Sequence, residues 1–319
     1  MNDSQNDKCT IFIVVPCYNE EEVLRWSAGK LLDVISQMKQ HTSDTGRILF
    51  VDDGSKDNTW AIINELSKEH SEISGLKLSH NEGHQTALWA GLEQVAEMCD
   101  ATISIDADLQ DDENAILNMV KKFDAGFDIV YGVRKSRTTD TWFKRFSAQS
   151  FYKLMKSVDK EMIYNHADFR LMSRRAVKAM LEYSERNVFL RGIVRQLGFR
   201  EDFVYYDRKA RTAGESKYPL KKMLAFSLDG ITSFSIAPLK WITFIGLMMI
   251  LVSLIMIIYA LVSYAEDDAV SGWTSMLVSL WLIGGMITTG IGVTGIYIGK
   301  IYTESKRRPR YFIDEKRNL

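Results

Sequence analysis

The apolar run Ile103-Ser104-Ile105 ends in Asp106-Ala107-Asp108, with Gln110 and Asp111 just beyond. A strand that stops at two neighbouring carboxylates offers hard oxygen donors at one point. Magnesium or manganese takes such ligands when phosphate oxygens complete its shell, so the implied substrate is a diphosphate. Acidic loop residues also commonly face only water, and the pair gains meaning from its surroundings. Three more polar clusters follow apolar runs in this half of the chain: Val15-Pro16-Cys17-Tyr18-Asn19-Glu20, Val51-Asp52-Asp53-Gly54-Ser55-Lys56-Asp57-Asn58-Thr59, and Asn81-Glu82-Gly83.

The elements that must position these clusters alternate. Thr10 to Val15 is a β-branched and aromatic run that reads as a buried strand. Glu20 to Met38 has helical spacing, with Val23, Leu24, Leu31, Leu32 and Ile35 on one stripe. A strand at Ile48 to Val51, a helix from about Thr59 to Lys68, a strand at Leu76 to Ser79, a helix over Thr86 to Met98 and a strand at Ala101 to Ile105 continue the pattern. Strand followed by helix, repeated, implies a parallel sheet. Such sheets bind ligands at the carboxyl ends of their strands, so the clusters after Val15, Val51 and Ile105 are expected to share one crevice.

The 319 residues allow about two domains, and 46% hydrophobic with 25% charged residues excludes wholesale disorder, collagen-like repetition and a disulfide-stapled miniprotein. A net charge of -1 gives no reason to expect nucleic acid as a partner. Cys9, Cys17 and Cys99 form no CxxC pair, which supports neither a disulfide framework nor a zinc site. Met1 to Lys8 lacks the pattern of a signal peptide, so the first domain is expected to start in the cytoplasm. Trp241 to Ala265 and Ala269 to Gly299 carry no charge, and each is long enough to cross about 30 Å of hydrocarbon. Glu266, Asp267 and Asp268 lie between them, while Lys221, Lys222 and Lys240 precede and Lys300, Lys306, Arg307, Arg308 and Arg310 follow. The positive-inside rule then places both termini in the cytoplasm. Aromatic and basic residues interleave over Trp142 to Val158, and Pro219 to Phe234 repeats the idea, so either could lie on the bilayer surface. The expected organisation is a soluble domain over 1–218, a juxtamembrane amphipathic helix over 219–236, two transmembrane helices within 237–303 and a basic cytoplasmic tail over 304–319.

In order and spacing, the four clusters resemble the GT-A nucleotide-sugar glycosyltransferases of the inverting family 2, over about the first 230 residues. That resemblance implies an α/β fold with a Rossmann-like, mainly parallel sheet flanked by helices. It implies that Pro16, Tyr18, Glu20 and one or both of Asp52 and Asp53 hold the nucleoside. Asp106 and Asp108, with Gln110, would hold Mg2+ or Mn2+ on the diphosphate. Asp168-Phe169-Arg170, then Arg211-Thr212-Ala213-Gly214-Glu215-Ser216-Lys217, then two terminal spans look like the polyprenyl-phosphate branch of the family, bacterial undecaprenyl-phosphate glycosyltransferases and dolichyl-phosphate mannose synthases. In that branch Arg134, Arg211, Ser216 and Lys217 would contact the acceptor phosphate, as guanidinium and ammonium groups suit.

The implied reaction moves a hexose from a UDP-sugar to undecaprenyl phosphate at the inner membrane, with inversion. Glucose is expected first, ahead of N-acetylglucosamine, mannose or an aminoarabinose. A lipid monophosphate has a second pKa near about 6 and is already nucleophilic at neutral pH, so no strong base is required. Asp168 is the remaining carboxylate for orienting a phosphate or sugar hydroxyl, and it stands against the reading that Asp168 and Arg170 form a structural pair. His84 and His166 read as hydrogen-bonded neighbours rather than bases. Gly290-Ile-Gly292-Val-Thr-Gly295 matches a dinucleotide fingerprint only on paper, because it lies inside a span; with Gly299 it reads as a helix-packing face that permits a homo-oligomer. A separate flippase and an external glycosyltransferase are the implied partners. A processive synthase would need a Gln-x-x-Arg-Trp motif, which is absent, and a catalytically inactive nucleotide-binding scaffold would have no use for the Asp106 and Asp108 pair.

Overall fold

The structure is a computed structural model that describes residues 9–41, 45–135, 166–186, 190–207, 272–319 and separate positions between 239 and 258. The chain divides into two compact units. One comprises Met1–Lys153, Glu161–Lys217 and Arg308–Leu319, and the other Leu154–Lys160 and Tyr218–Arg307.

The first unit is built on strands β1 (Thr10–Cys17), β2 (Thr45–Asp52), β3 (Ile73–Leu78), β4 (Ala101–Ser104), β5 (Ile129–Arg134), β6 (His166–Ser173), β7 (Glu201–Tyr206) and β8 (Ile313–Arg317). They form one sheet in the order β7-β5-β6-β4-β1-β2-β3-β8. The centre is parallel, as expected: β1 pairs with β2 and β4, and β2 with β3. The sheet as a whole is mixed, because β6 runs antiparallel between β4 and β5, and β8 runs antiparallel to β3.

Ile11 through Val15 are fully buried, which a central strand requires when helices cover both faces. Their alternation divides the interior into two cores. Ile11, Ile13 and Val15 pack with residues of α1 (Leu24–His41), α2 (Thr59–Glu69) and α4 (Ala115–Asp124). Phe12 and Val14 pack with α3 (His84–Val95), α5 (Arg174–Leu181) and α6 (Leu190–Gln196). Helix α3 lies against the sheet at Gly91, where a Cβ would come within 2.5 Å of Val14 and 2.7 Å of Val51. This close approach fixes how far the start of α3 reaches over the strand ends.

Within the stretch read as a basic tail, Ile313–Arg317 is a strand of the sheet. β8 registers against β3 from Gly75↔Arg317 to Leu78↔Ile313, and the Ser79 amide donates to the Phe312 carbonyl at 2.9 Å. Trp60 Nε1 donates to Glu315 at 3.1 Å, and Lys77 pairs with Asp314 at 2.8 Å. The Arg310 guanidinium lies 4.1 Å over the Trp89 ring and donates to the Tyr183 and Glu185 carbonyls. The charged side chains of Ile313-Asp-Glu-Lys-Arg317 hid this strand from pattern reading, yet they suit an edge strand that must not recruit another chain. Deleting 311–319 removes several net hydrogen bonds of about 1 kcal/mol each. Thermal denaturation of the truncated chain is expected to shift down by at least about 5 °C; an unchanged midpoint would show that β8 contributes nothing.

In the second unit, α7 (Trp273–Ser305) is long and apolar, and its segment Leu282–Ser305 is the one stretch among the described residues able to cross a membrane by length and composition. Thr288, Thr289, Thr294 and Thr303 donate to carbonyls one turn back, which satisfies their hydroxyls within an apolar helix. Gly290 faces Ile242, whose Cγ2 would lie 3.3 Å from an added Cβ, in line with the helix-packing reading of the glycines. The stretch from Trp241 to Ala265 is described only at separate positions, which are helical from Trp241 to Ile258. The expected pair of spans is therefore supported for one member. The segments Trp142 to Val158 and 219–236 lie outside the described residues.

Candidate active site

The site gathers where β1, β2, β3 and β4 end. Each loop there holds one residue in left-handed backbone: Asn19 (φ 52°), Gly54 (φ 64°), Gly83 (φ 92°) and Leu109 (φ 42°). For a leucine this geometry is uncommon, and it persists only where the surroundings fix it. Gly54 could not be replaced without conflict, because a Cβ would meet the His80 backbone at 2.6 Å.

The first two loops are laced together. The Asn19 amide donates to Ser55 Oγ at 3.0 Å, the Lys56 amide to Asn19 Oδ1 at 2.9 Å, and the Glu20 amide to Thr59 Oγ1 at 2.9 Å. Pro16 is buried in β1, while Tyr18 and Glu20 are half-buried beyond its end. Asp52 and Asp53 separate into two roles. Asp53 accepts the Glu82 and Gly83 amides at 2.8 and 2.9 Å, one on each oxygen, and burial pushes its pKa up to about 6. Both its oxygens are thus committed to the third loop. Asp52 is fully buried, its Oδ1 accepts the Ser55 amide at 3.1 Å, and its Oδ2 has no hydrogen-bond partner among the described residues. A buried unsatisfied carboxylate oxygen calls for a ligand donor.

On the third side, Ser27 donates to the Ala107 carbonyl at 2.5 Å and the Leu109 amide to the Asp106 carbonyl at 3.2 Å, which shapes the turn carrying Asp106 and Asp108. Although 45% of its side chain is open to solvent, desolvation by the crevice raises the Asp106 pKa; His84 offsets this in part, and Asp111, Asp168 and Asp108 add to it. Among the described residues no three acidic, histidine or cysteine side chains converge to form a metal site on their own. The Asp106 and Asp108 pair fits Mg2+ or Mn2+ in the manner that leaves most of the shell to phosphate oxygens and water. Gln110 is buried, and its backbone N–H donates to Asp108 Oδ1 at 3.3 Å.

Sequence spacing hinted at Asp168 and Arg170 as a pair, and strand alternation places both on one face of β6. Arg170 Nη2 donates to Asp168 Oδ1 at 2.8 Å. Two partners were not legible in the sequence. Arg191, at the start of α6, donates through Nε and Nη2 to the two Asp168 oxygens at 3.1 and 3.0 Å, and Gln85 Nε2 donates to Oδ2 at 3.0 Å. Gln85 also accepts the Leu190 amide at 3.2 Å, tying α3 to α6. No sequence signal separates Arg191 from other surface arginines; only the folding of α6 against β6 reveals it. Burial alone would raise Asp168, but Arg191, His84 and Arg170 outweigh it and hold its carboxyl well below the usual range. The oxygens of Asp168 are filled by protein donors, which suits an anchor better than a base.

His84 Nε2 lies 3.5 Å from Asp106 and 3.7 Å from Asp168. Burial pulls its pKa down, but Asp168 and Asp106 outweigh this and hold it up at about 9, which favours the protonated ring. Arg134, at the end of β5, reaches the same acidic loop: Nε donates to Asp111 Oδ1 at 2.9 Å and Nη2 lies 2.8 Å from it. Arg211, Ser216 and Lys217 lie outside the described residues, as does the His166 side chain.

Residues 12–181 match the family described as Glycosyl transferase family 2. The chain is a family 2 glycosyltransferase. A relative named Uncharacterized glycosyltransferase YkoT, from Bacillus subtilis strain 168, is 49% identical over 95% of this chain and 90% of its own length. The Bactoprenol glucosyl transferase of Shigella phage SfX is 41% identical over 96% of this chain and 99% of its own. A Prophage bactoprenol glucosyl transferase homolog of Escherichia coli K12 is 40% identical over 95% of this chain and 98% of its own. This family 2 enzyme thus matches relatives along nearly its whole length, and its mixed sheet with flanking helices is the GT-A architecture expected from the four clusters.

Proposed function

We propose that this enzyme transfers glucose from UDP-glucose to undecaprenyl phosphate, giving an inverted, β-linked lipid phosphate sugar. The observation that carries the reading is the end-to-end similarity to the bactoprenol glucosyl transferases. The crevice supports it, with the Oδ2 of buried Asp52, which has no partner among the described residues, suited to a nucleoside donor group and Tyr18 and Glu20 half-buried beyond the end of β1.

Asp106 and Asp108 would hold a divalent ion, which when bound neutralises the donor's diphosphate and eases departure of UDP. The remaining work belongs to the chain's own groups. Asp53 fixes the Glu82-Gly83 turn and so sets the start of α3. Asp168 holds Arg191 and lies beside His84, keeping cationic groups next to the acidic loop rather than supplying a base. Arg134, with Arg211, Ser216 and Lys217, would neutralise and orient the acceptor phosphate, whose ionised oxygen attacks the anomeric carbon in line. Because the nucleophile arrives charged, positioning and charge balance suffice.

Connectivity supports the membrane placement proposed here. The chain leaves the catalytic unit at Lys217 and rejoins it at Arg308, so any crossings between must be even in number. With Leu282–Ser305 as one span, the uncharged Trp241 to Ala265 stretch supplies the other, and the catalytic unit and both termini lie on the cytoplasmic side of the inner membrane. A cysteine placed at Glu266 is expected to react with an impermeant thiol reagent only from outside the cell; labelling from the cytoplasmic side contradicts this topology. The donor is tested by incubating the purified full chain with a short polyprenyl phosphate and a panel of UDP- and GDP-sugars. UDP-glucose is expected to give the fastest transfer, and absence of product with every donor overturns the reading.

A further inference from the structure

The Tyr206 side chain poses a question that the proposed reaction answers. Tyr206 ends β7 and is the register partner of Arg134 at the end of β5. It is 3% exposed, and Phe169 holds its ring edge-on with centroids 5.4 Å apart. Its hydroxyl is buried against Arg134 and Asp111 and interacts with both, but makes a well-formed hydrogen bond to neither among the described residues. Asp111, 2% exposed, takes Nε and Nη2 of Arg134 on a single oxygen, and no described residue accepts from Nη1. A buried hydroxyl without a partner carries a desolvation cost that purely structural packing would remove with phenylalanine. A hydroxyl so placed, beside a guanidinium whose Nη1 has no acceptor among the described residues and a buried acid that fixes that guanidinium, suits an anionic oxygen.

We propose that Tyr206 is a substrate-binding residue whose hydroxyl donates to a phosphate oxygen of the lipid acceptor, with Asp111 as the positioning residue that aims Arg134 at the same phosphate. The proposal rests on the polyprenyl phosphate reading given above. Asp111 leaves the Arg134–Asp111 pair close to neutral, so an arriving dianion is held there by directed hydrogen bonds rather than by net charge. The acid three residues past Asp108 thereby links the acceptor seat to the loop that would carry the metal.

The test uses the full chain in detergent with farnesyl phosphate as acceptor and UDP-glucose as donor. Tyr206→Phe is expected to leave the melting midpoint unchanged or slightly higher, and to raise the acceptor KM about ten- to hundredfold, the worth of one hydrogen bond to a charged oxygen, with the donor KM unchanged. Calorimetric titration with farnesyl phosphate alone should show the same loss of affinity, which keeps the test independent of turnover. Asp111→Asn should raise the acceptor KM in the same direction. Unchanged acceptor affinity in Tyr206→Phe overturns the proposal, as does a shift confined to the donor KM or a fall in midpoint of several degrees. Wild-type enzyme that binds farnesyl phosphate but transfers nothing would count against the proposed reaction and leave this seat standing.

Discussion

Asp168→Asn is expected to cost about 3–5 kcal/mol of stability, because it leaves buried Arg170 without its carboxylate and frees Arg191. At roughly 2–4 °C per kcal/mol for a domain of this size, the melting midpoint should fall by about 10 °C or more. The pH dependence carries the same signature. The folded pKa of Asp168 lies well below the value of about 3.9 in an unfolded chain, so its contribution is complete above about pH 4 and is lost as pH falls towards the depressed folded value. The difference between wild type and variant should therefore shrink below about pH 4 and stay constant above it. A fully stable Asp168→Asn enzyme with no transfer would instead make Asp168 a catalytic group.

Asp108→Asn is expected to behave in the opposite way. The side chain is half-buried on a loop, so the melting midpoint should move little. Transfer should fall by at least about a thousandfold, as loss of a metal worth several kcal/mol to the developing charge implies. Manganese binding, followed by paramagnetic resonance in the presence of UDP, should weaken in parallel. Unchanged turnover in this variant removes the metal from the account. Together the two substitutions separate an acid that organises the crevice from an acid that serves the substrate.

The sequence made the parallel centre of the sheet legible because β1, β2 and β4 are continuous apolar runs, each followed at once by polar loop residues. The same runs located Asp52, Asp53, Asp106 and Asp108 at one edge of the sheet. It could not divide the roles of Asp52 and Asp53, since that division depends on which oxygens the Glu82 and Gly83 amides occupy. Asp168 and Arg170 were legible as a pair through strand alternation, whereas Arg191 and Gln85 joined them only through the packing of α3 and α6 on β6. β8 was hidden for a different reason: a strand of one isoleucine and four charged residues has no apolar period, and its stability comes from the edge of β3 rather than from its own composition. Tyr206 stands at the end of an aromatic strand, and nothing in the order of residues marks its hydroxyl as unsatisfied.

The central claim is that the hexose ends on an isoprenoid phosphate. The most direct measurement is mass spectrometry of the lipid extract after the purified full chain has been incubated with UDP-glucose, Mg2+ and a short polyprenyl phosphate. A mass gain of one hexose on the polyprenyl phosphate, abolished by chelation, is the expected result. Release of UDP with the polyprenyl phosphate unchanged, or a hexose found on any other acceptor, contradicts it.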